Sequence, residues 1–319
     1  MIDAMFKNIC CMSQKDLKEY LGQKLTETHQ TIVSTDGYIY AQGDFPVLLV
    51  AHLDTVHKSL PQKLYYDRFT KSISSPQGIG GDDRCGVYMI LKIAEKFNCS
   101  VLFCEDEEIG AIGAEKFTQA KFAKELKFNY IIELDRRGYN DAVFYDCDND
   151  DFEDFITKDF YKTSFGSFSD ISVVAPFLKC AAVNLSCGYY NAHTVDEYVV
   201  IPEMERGIQE VCKILQRTTD KDKFEYIEAY DSRTYNYNSK LSAKEVWYIV
   251  SFINEKGQED MDYAVADSYV EAIGVFCQEH PHIPYANVLD IEEDFYDYAD
   301  DYYYYDKMVA PSQKGKGII

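Results

Sequence analysis

The sequence lacks several features that would place it outside the globular class. No stretch approaches the roughly eighteen apolar residues of a membrane-spanning helix, and the opening Met1-Ile2-Asp3-Ala4-Met5-Phe6-Lys7 has no long apolar signal core. Basic residues are scarce: 32 Lys and Arg stand against 54 Asp and Glu, a formal net charge of −22. Such a balance repels phosphate backbones, so nucleic acid is not an expected partner, and with no spanning run neither is a membrane. The ten cysteines include no C-x2-C zinc-thiolate spacing, Cys10-Cys11 and the pair Cys99 and Cys104 included. They are expected to be reduced, mostly buried small hydrophobes in a cytoplasmic protein.

What is present suffices for a proper core: 46% of 319 residues are hydrophobic. The length predicts one domain of roughly 200 residues and something smaller. Ser13 reads as the N-cap of a helix over 14–28 carrying Leu17, Tyr20, Leu21 and Leu25 on one face. Thr31-Ile32-Val33 and Tyr38-Ile39-Tyr40 flank an Asp36-Gly37 turn, as in a hairpin. Phe45–Ala51, Val101–Cys104, Tyr130–Asp135 and Ala181–Ser186 read as buried strands, separated by helices over 87–97, 114–126 and 151–160. A Ser/Gly/Phe loop follows at 163–169, and a helix is expected over 202–215. Strand and helix alternating in this way predict an α/β fold, a mixed, mostly parallel sheet flanked by helices.

The expected organisation is a catalytic domain over 1–218, a connector over 219–241, a small ββαβ module over 242–293 and an acidic, tyrosine-rich tail over 294–319. Residues 290–306 hold eight acids and six tyrosines in seventeen positions, a composition that favours a solvated, flexible segment. Tyrosine-rich stretches such as 226–237 suit interfaces, which makes the C-terminal region a candidate oligomer contact.

The informative pattern is where histidines and acids fall. His52 and Asp54, Glu107 and Glu108, and Asp135 stand at the carboxyl ends of successive strands, His193 lies just beyond the fourth, and Asp82 sits on the glycine-rich loop Gly78–Gly86. Open α/β sheets place their chemistry at that edge. Two histidines with three carboxylates suit Zn2+, and also Mn2+ or Co2+. Five ligands exceed one tetrahedral site but serve two ions if one carboxylate bridges.

The order His-x-Asp-Thr-Val, Gly-Asp-Asp-Arg-x-Gly, Glu-Glu-Ile-Gly, a strand ending in Asp, and Asn-x-His resembles the co-catalytic di-zinc exopeptidases over about residues 10–217. That group includes peptidase T, the glutamate carboxypeptidases, the acyl-amino-acid deacylases and the glutamyl-type aminopeptidases. The resemblance implies two Zn2+, one on His52, Asp82 and Asp135 and the other on the bridging Asp82, Glu108 and His193. It implies that Asp54 orients His52, that Glu107 is the general base, and that the Asp82–Asp83 peptide is cis. Ser169-Asp170 resembles a pair near the substrate pocket of some members, whereas His57 matches no ligand position and His29, His280 and His282 are assigned no role. The implied substrate is a short peptide cleaved from one end, with an N-acyl amino acid as the alternative. A non-catalytic metal-stabilised binding module is the rival reading, against which the intact Glu107 argues. Thirty residues from His52 to Asp82 and 58 from Asp135 to His193 are too few for the inserted lid of many relatives, so which end of a peptide is recognised stays open.

Overall fold

A computed structural model of the chain describes residues 3–166, 168–228, 246–254, 256–266, 269–280, 282–284 and 287–293. The expected tail, and the part of the connector beyond residue 228, lie outside the described residues. In chain order the elements are α1 (Ala4–Cys10), α2 (Gln14–Leu25), β1 (Thr31–Thr35), β2 (Tyr38–Gln42), β3 (Phe45–His52), β4 (Tyr65–Tyr66), β5 (Ser72–Ser74), α3 (Gly81–Ala94), β6 (Cys99–Cys104) and α4 (Ile112–Gln119). There follow β7 (Tyr130–Arg136), β8 (Asp141–Val143), α5 (Asp150–Thr157), β9 (Lys162–Ser164), α6 (Asp170–Leu178), β10 (Ala182–Ser186), β11 (Tyr189–Tyr190), β12 (Tyr198–Val200) and α7 (Ile201–Arg217). The C-terminal module contributes β13 (Val246–Ile253), β14 (Glu259–Ala266), α8 (Tyr269–Glu279) and β15 (Val288–Glu293).

Eight strands form the central sheet in the order β1-β2-β6-β3-β7-β10-β8-β9. The middle four, β6-β3-β7-β10, run parallel, and antiparallel pairing of β2 with β6 and of β8 with β10 adds the flanks. The sheet is therefore mixed and mostly parallel, as the alternation of elements predicts. Period-two side-chain alternation divides β3 between two cores: Val47, Leu49 and Ala51 pack with α1, α2, α3 and α7, while Leu48 and Val50 pack with α4 and α6 on the other face. The register sets His52 opposite Cys104 and Val50 opposite Glu133. The carboxyl ends of β3, β6 and β7 are thereby brought to one edge.

Local chemistry explains most boundaries. The Ser13 side chain accepts the Asp16 N–H at 3.1 Å and starts α2. Gly37, at φ 96, turns the β1–β2 hairpin. Helix α3 reaches further back than the apolar periodicity over 87–97 indicates, and Asp82 and Asp83 in its first turn depart from helical φ/ψ, so the regular helix runs on from Arg84. The expected helix over 114–126 is split into α4 and a 3-10 turn at Lys121–Glu125. Helix α6 is not foreshadowed in the sequence: Ile171, Val173, Val174 and Pro176 argue locally against a helix, and burial against α4 and the sheet overrides them.

Residues 224–228 lie on the central unit. Phe224 packs against Tyr130, Phe152 and Phe155, and bridges join Glu225 to Cys180 and Glu228 to Cys147. The module itself is an antiparallel sheet, β14-β13-β15, with Ala272 and Phe276 of α8 packed on one face over Tyr248, Val250 and Phe252. All ten cysteines are free, and no described helix is long and apolar enough to cross a membrane.

Candidate metal centre at the sheet edge

The sequence-predicted residues converge. His52 ends β3 with its Nε2 at 2.9 Å from Asp82 Oδ1 and 3.4 Å from Asp135 Oδ1, while its Nδ1 faces Asp54 at 3.2 Å. The other oxygen of Asp82 lies 3.2 Å from His193 Nε2, and that nitrogen is 3.1 Å from Glu108 Oε2. Two groups of donor atoms result, His52 with Asp82 and Asp135, and Asp82 with Glu108 and His193, and Asp82 is common to both. Each offers two carboxylates and one imidazole, a set that fits a borderline divalent ion.

The backbone arranges this convergence. Neighbours on a strand face opposite ways, but β6 has ended before Glu107: Asp106 stands at φ 62, and the chain then turns so that both glutamates reach the cleft. Asp54 accepts the Glu107 and Glu108 N–H groups at 3.0 and 3.1 Å. Asp54 thus fixes both the His52 ring and the glutamate pair. The Asp82–Asp83 peptide is cis. Asp83 points away from the cleft and accepts from the His52 and Gly86 N–H groups at 3.2 and 2.8 Å. Asp135 is held by Asn184, whose Oδ1 accepts its N–H at 2.9 Å, and by the Ser169 hydroxyl, which donates to Asp135 Oδ2 at 3.2 Å and to Glu133 at 2.6 Å.

The electrostatics match a site built for cations. Burial pushes the Glu107 carboxyl well above the usual carboxylate range; His52 opposes this, and Asp135, Asp170 and Glu108 add to it. Burial and Asp82 likewise raise Asp135, to about 6. Asp82 goes the other way, because hydrogen bonds from His193 and His52 outweigh its burial and hold it well below the ordinary value. Glu108 Oε1 and His193 Nδ1 are buried without a hydrogen-bond partner. Crowded carboxylates and a partnerless buried oxygen are the arrangement that a divalent ion relieves.

One residue outside the sequence pattern belongs here. Glu197 is 0% exposed and accepts the Gly80 and Asp82 N–H groups at 2.7 and 3.0 Å, while its Oε2 pairs with His57 Nε2 at 2.8 Å. It ties the loop following His193 to the loop carrying Asp82 and gives His57 a structural partner. Its nearness in sequence to His193 is the signal that could have singled it out. His29 is buried against the Cys99 carbonyl, and His280 pairs with Asp262 in the module.

Residues 32–176 match the model of Peptidase family M28, a zinc-dependent family. No curated protein matches the chain. Solved structures similar in fold include aminopeptidase PepT from Bacillus cereus, at 14% identity over 66% of this chain and 96% of that one with a TM-score of 0.55. A tripeptidase from Staphylococcus aureus aligns at 12% identity over 66% and 96%, TM-score 0.53. Aminopeptidase APDkam598 from the archaeon Desulfurococcus kamchatkensis aligns at 13% over 68% and 95%, TM-score 0.50. The match spans the motifs from His52 to Asp135 and stops short of His193, so over that stretch the chain is similar to this peptidase family, and its fold is that of the aminopeptidases above.

Proposed function

We propose that the chain is a two-metal exopeptidase of aminopeptidase type, which removes one residue from the end of a short peptide in a reducing, cytoplasmic setting. The observation that carries this is the pair of donor groups sharing Asp82 beside a free carboxyl, Glu107, in the same cleft. His52, Asp82 and Asp135 would hold one Zn2+, and Asp82, Glu108 and His193 the other. Two such ions supply Lewis acidity to the scissile carbonyl and lower the pKa of water at the site.

The chain's own groups do the rest. Asp54 takes the proton on His52 Nδ1 as a hydrogen bond, which turns the Nε2 lone pair towards Asp82 and Asp135. Glu107, its backbone pinned by Asp54, receives the proton of the attacking water at its carboxylate and returns it to the leaving amine.

The test is Glu107→Gln in the zinc-loaded full chain, assayed with leucyl, alanyl and glutamyl di- and tripeptides and with N-acyl amino acids. Turnover should fall at least about 100-fold while two ions per chain are retained by elemental analysis. Undiminished hydrolysis removes Glu107 from the reaction, and exclusive cleavage of the acyl amino acids makes the chain a deacylase.

A further inference from the structure

The C-terminal module reaches the reaction cleft. The cavity lined by Asp82, Glu107, Glu108, Asp135 and His193 is also lined by Ile273 of α8 and by Val288 and Leu289, the first two residues of β15. Leu289 owes its direction to a break in the ladder. Val288 is paired with Phe252 and Asp290 with Ser251, so Leu289 is the extra residue of a β-bulge, a device that re-aims a side chain. Ile273 and Val288 also pack against the module's core, which anchors the wall they form.

We propose that this module is the specificity wall of the enzyme, and that Ile273, Val288 and Leu289 receive an aliphatic side chain from the terminal residue of a short peptide. The inference rests on the peptidase reading given above. Three observations support it. Among the described residues, the three that the module contributes are all aliphatic, in a chain of which 27% is charged. Phe168, 48% exposed, and Ala192 line the same cavity, so apolar surface is available on the catalytic side as well. The cavity measures about 140 Å3, below the roughly 300–1,000 Å3 of pockets that enclose drug-sized ligands. It therefore admits one end of a substrate rather than an extended chain. Arg136 and Arg137 share the cleft, and they define the rival, selection of an acidic side chain; Arg136 is already paired with Asp141 at 3.8 Å.

The test is calorimetric binding of leucine, glycine, lysine and glutamate hydroxamates to the zinc-loaded full chain, alongside hydrolysis of the matching dipeptides. One or more methylenes in a fitted apolar pocket are worth about 10-fold or more, so leucine hydroxamate should bind at least about 10-fold more tightly than the other three. Leu289→Asp and, separately, Ile273→Ser should bring the leucine-to-glycine ratio close to 1, and Leu289→Met should restore it. Equal affinities in the unsubstituted chain, or a ratio that both variants leave unchanged, overturns the proposal, and a preference for glutamate hands specificity to the arginines. Hydroxamate selectivity without dipeptide cleavage would keep the specificity wall and reject the peptidase reading.

Discussion

Truncation of Glu197 to alanine tests how the bridging carboxylate is held. The side chain is wholly buried and accepts two backbone N–H groups, from Gly80 and Asp82, while pairing with His57. A buried donor left unsatisfied costs about 1–3 kcal/mol, so the two amides alone lose about 2–6 kcal/mol, a large part of the roughly 5–15 kcal/mol that stabilises a domain. Glutamine should cost less, because it keeps one acceptor oxygen and sets an amide N–H against a donor only at the other. The functional consequence follows from position. Asp82 is common to both donor groups, so loosening its backbone should release both ions together, whereas Asp135→Asn should weaken one. Urea unfolding of the metal-free variants, and zinc per chain after dialysis against a graded chelator, read the two effects separately. A Glu197→Ala protein with the unsubstituted midpoint and two retained ions would refute the reasoning.

Three further outcomes follow from the same geometry. Asp54→Ala removes the acceptor for the Glu107 and Glu108 amides and the partner of His52, so zinc affinity measured against a chromogenic chelator should drop about 10–100-fold; an unchanged affinity would show that Asp54 does not set the ring. Burial pushes the Asp170 carboxyl up to about 7, with His52 opposing. Because the folded value exceeds the ordinary one, the stabilisation is present below about pH 4 and is lost as pH rises through about 7, amounting to about 4 kcal/mol. Metal-free Asp170→Asn should therefore gain on the unsubstituted chain between those pH values in urea midpoints, and a constant difference would count against it. Gly86→Ala would place a Cβ 1.7 Å from the Leu134 carbonyl oxygen and 2.5 Å from Asp83 Oδ2. It should not yield a folded, zinc-binding chain; a normal Tm would show that α3 can move off β7.

Much of this is legible in the sequence, for definite reasons. Strands β3, β6, β7 and β10 are covered on both faces, so they read as largely apolar runs, and with no cysteine pair at a zinc-binding spacing the histidines and acids stand out as ligand types at the strand ends. Three-residue strands such as β8 and β9 carry no periodicity to read. Helix α6 is hidden because its β-branched residues and Pro176 belie the burial that makes it helical. The direction of Leu289 is invisible because it is set by a one-residue slip against β13. Glu197 escapes because its partners are backbone amides 117 and 115 residues away, and every residue except proline offers such an amide.

That last case is general in this site. The His52 N–H is held by Asp83, the Asp82 N–H by Glu197, the Glu108 N–H by Asp54 and the Asp135 N–H by Asn184. Four of the five proposed ligands thus have their own main chain fixed by a side chain that is not itself a ligand. His193, the fifth, stands at φ 64 in a loop whose Glu197 is locked to the Gly80–Asp82 segment. A ligand anchored through its backbone loses little further freedom when an ion arrives, which is how a site is preorganised. The supporting carboxylates of Asp54, Asp83 and Glu197 accept these backbone amides, and the buried Arg84 guanidinium lies close enough to interact electrostatically with all three. The same backbone anchoring that makes these residues inconspicuous in the sequence therefore keeps the ligand positions of the cleft rigid.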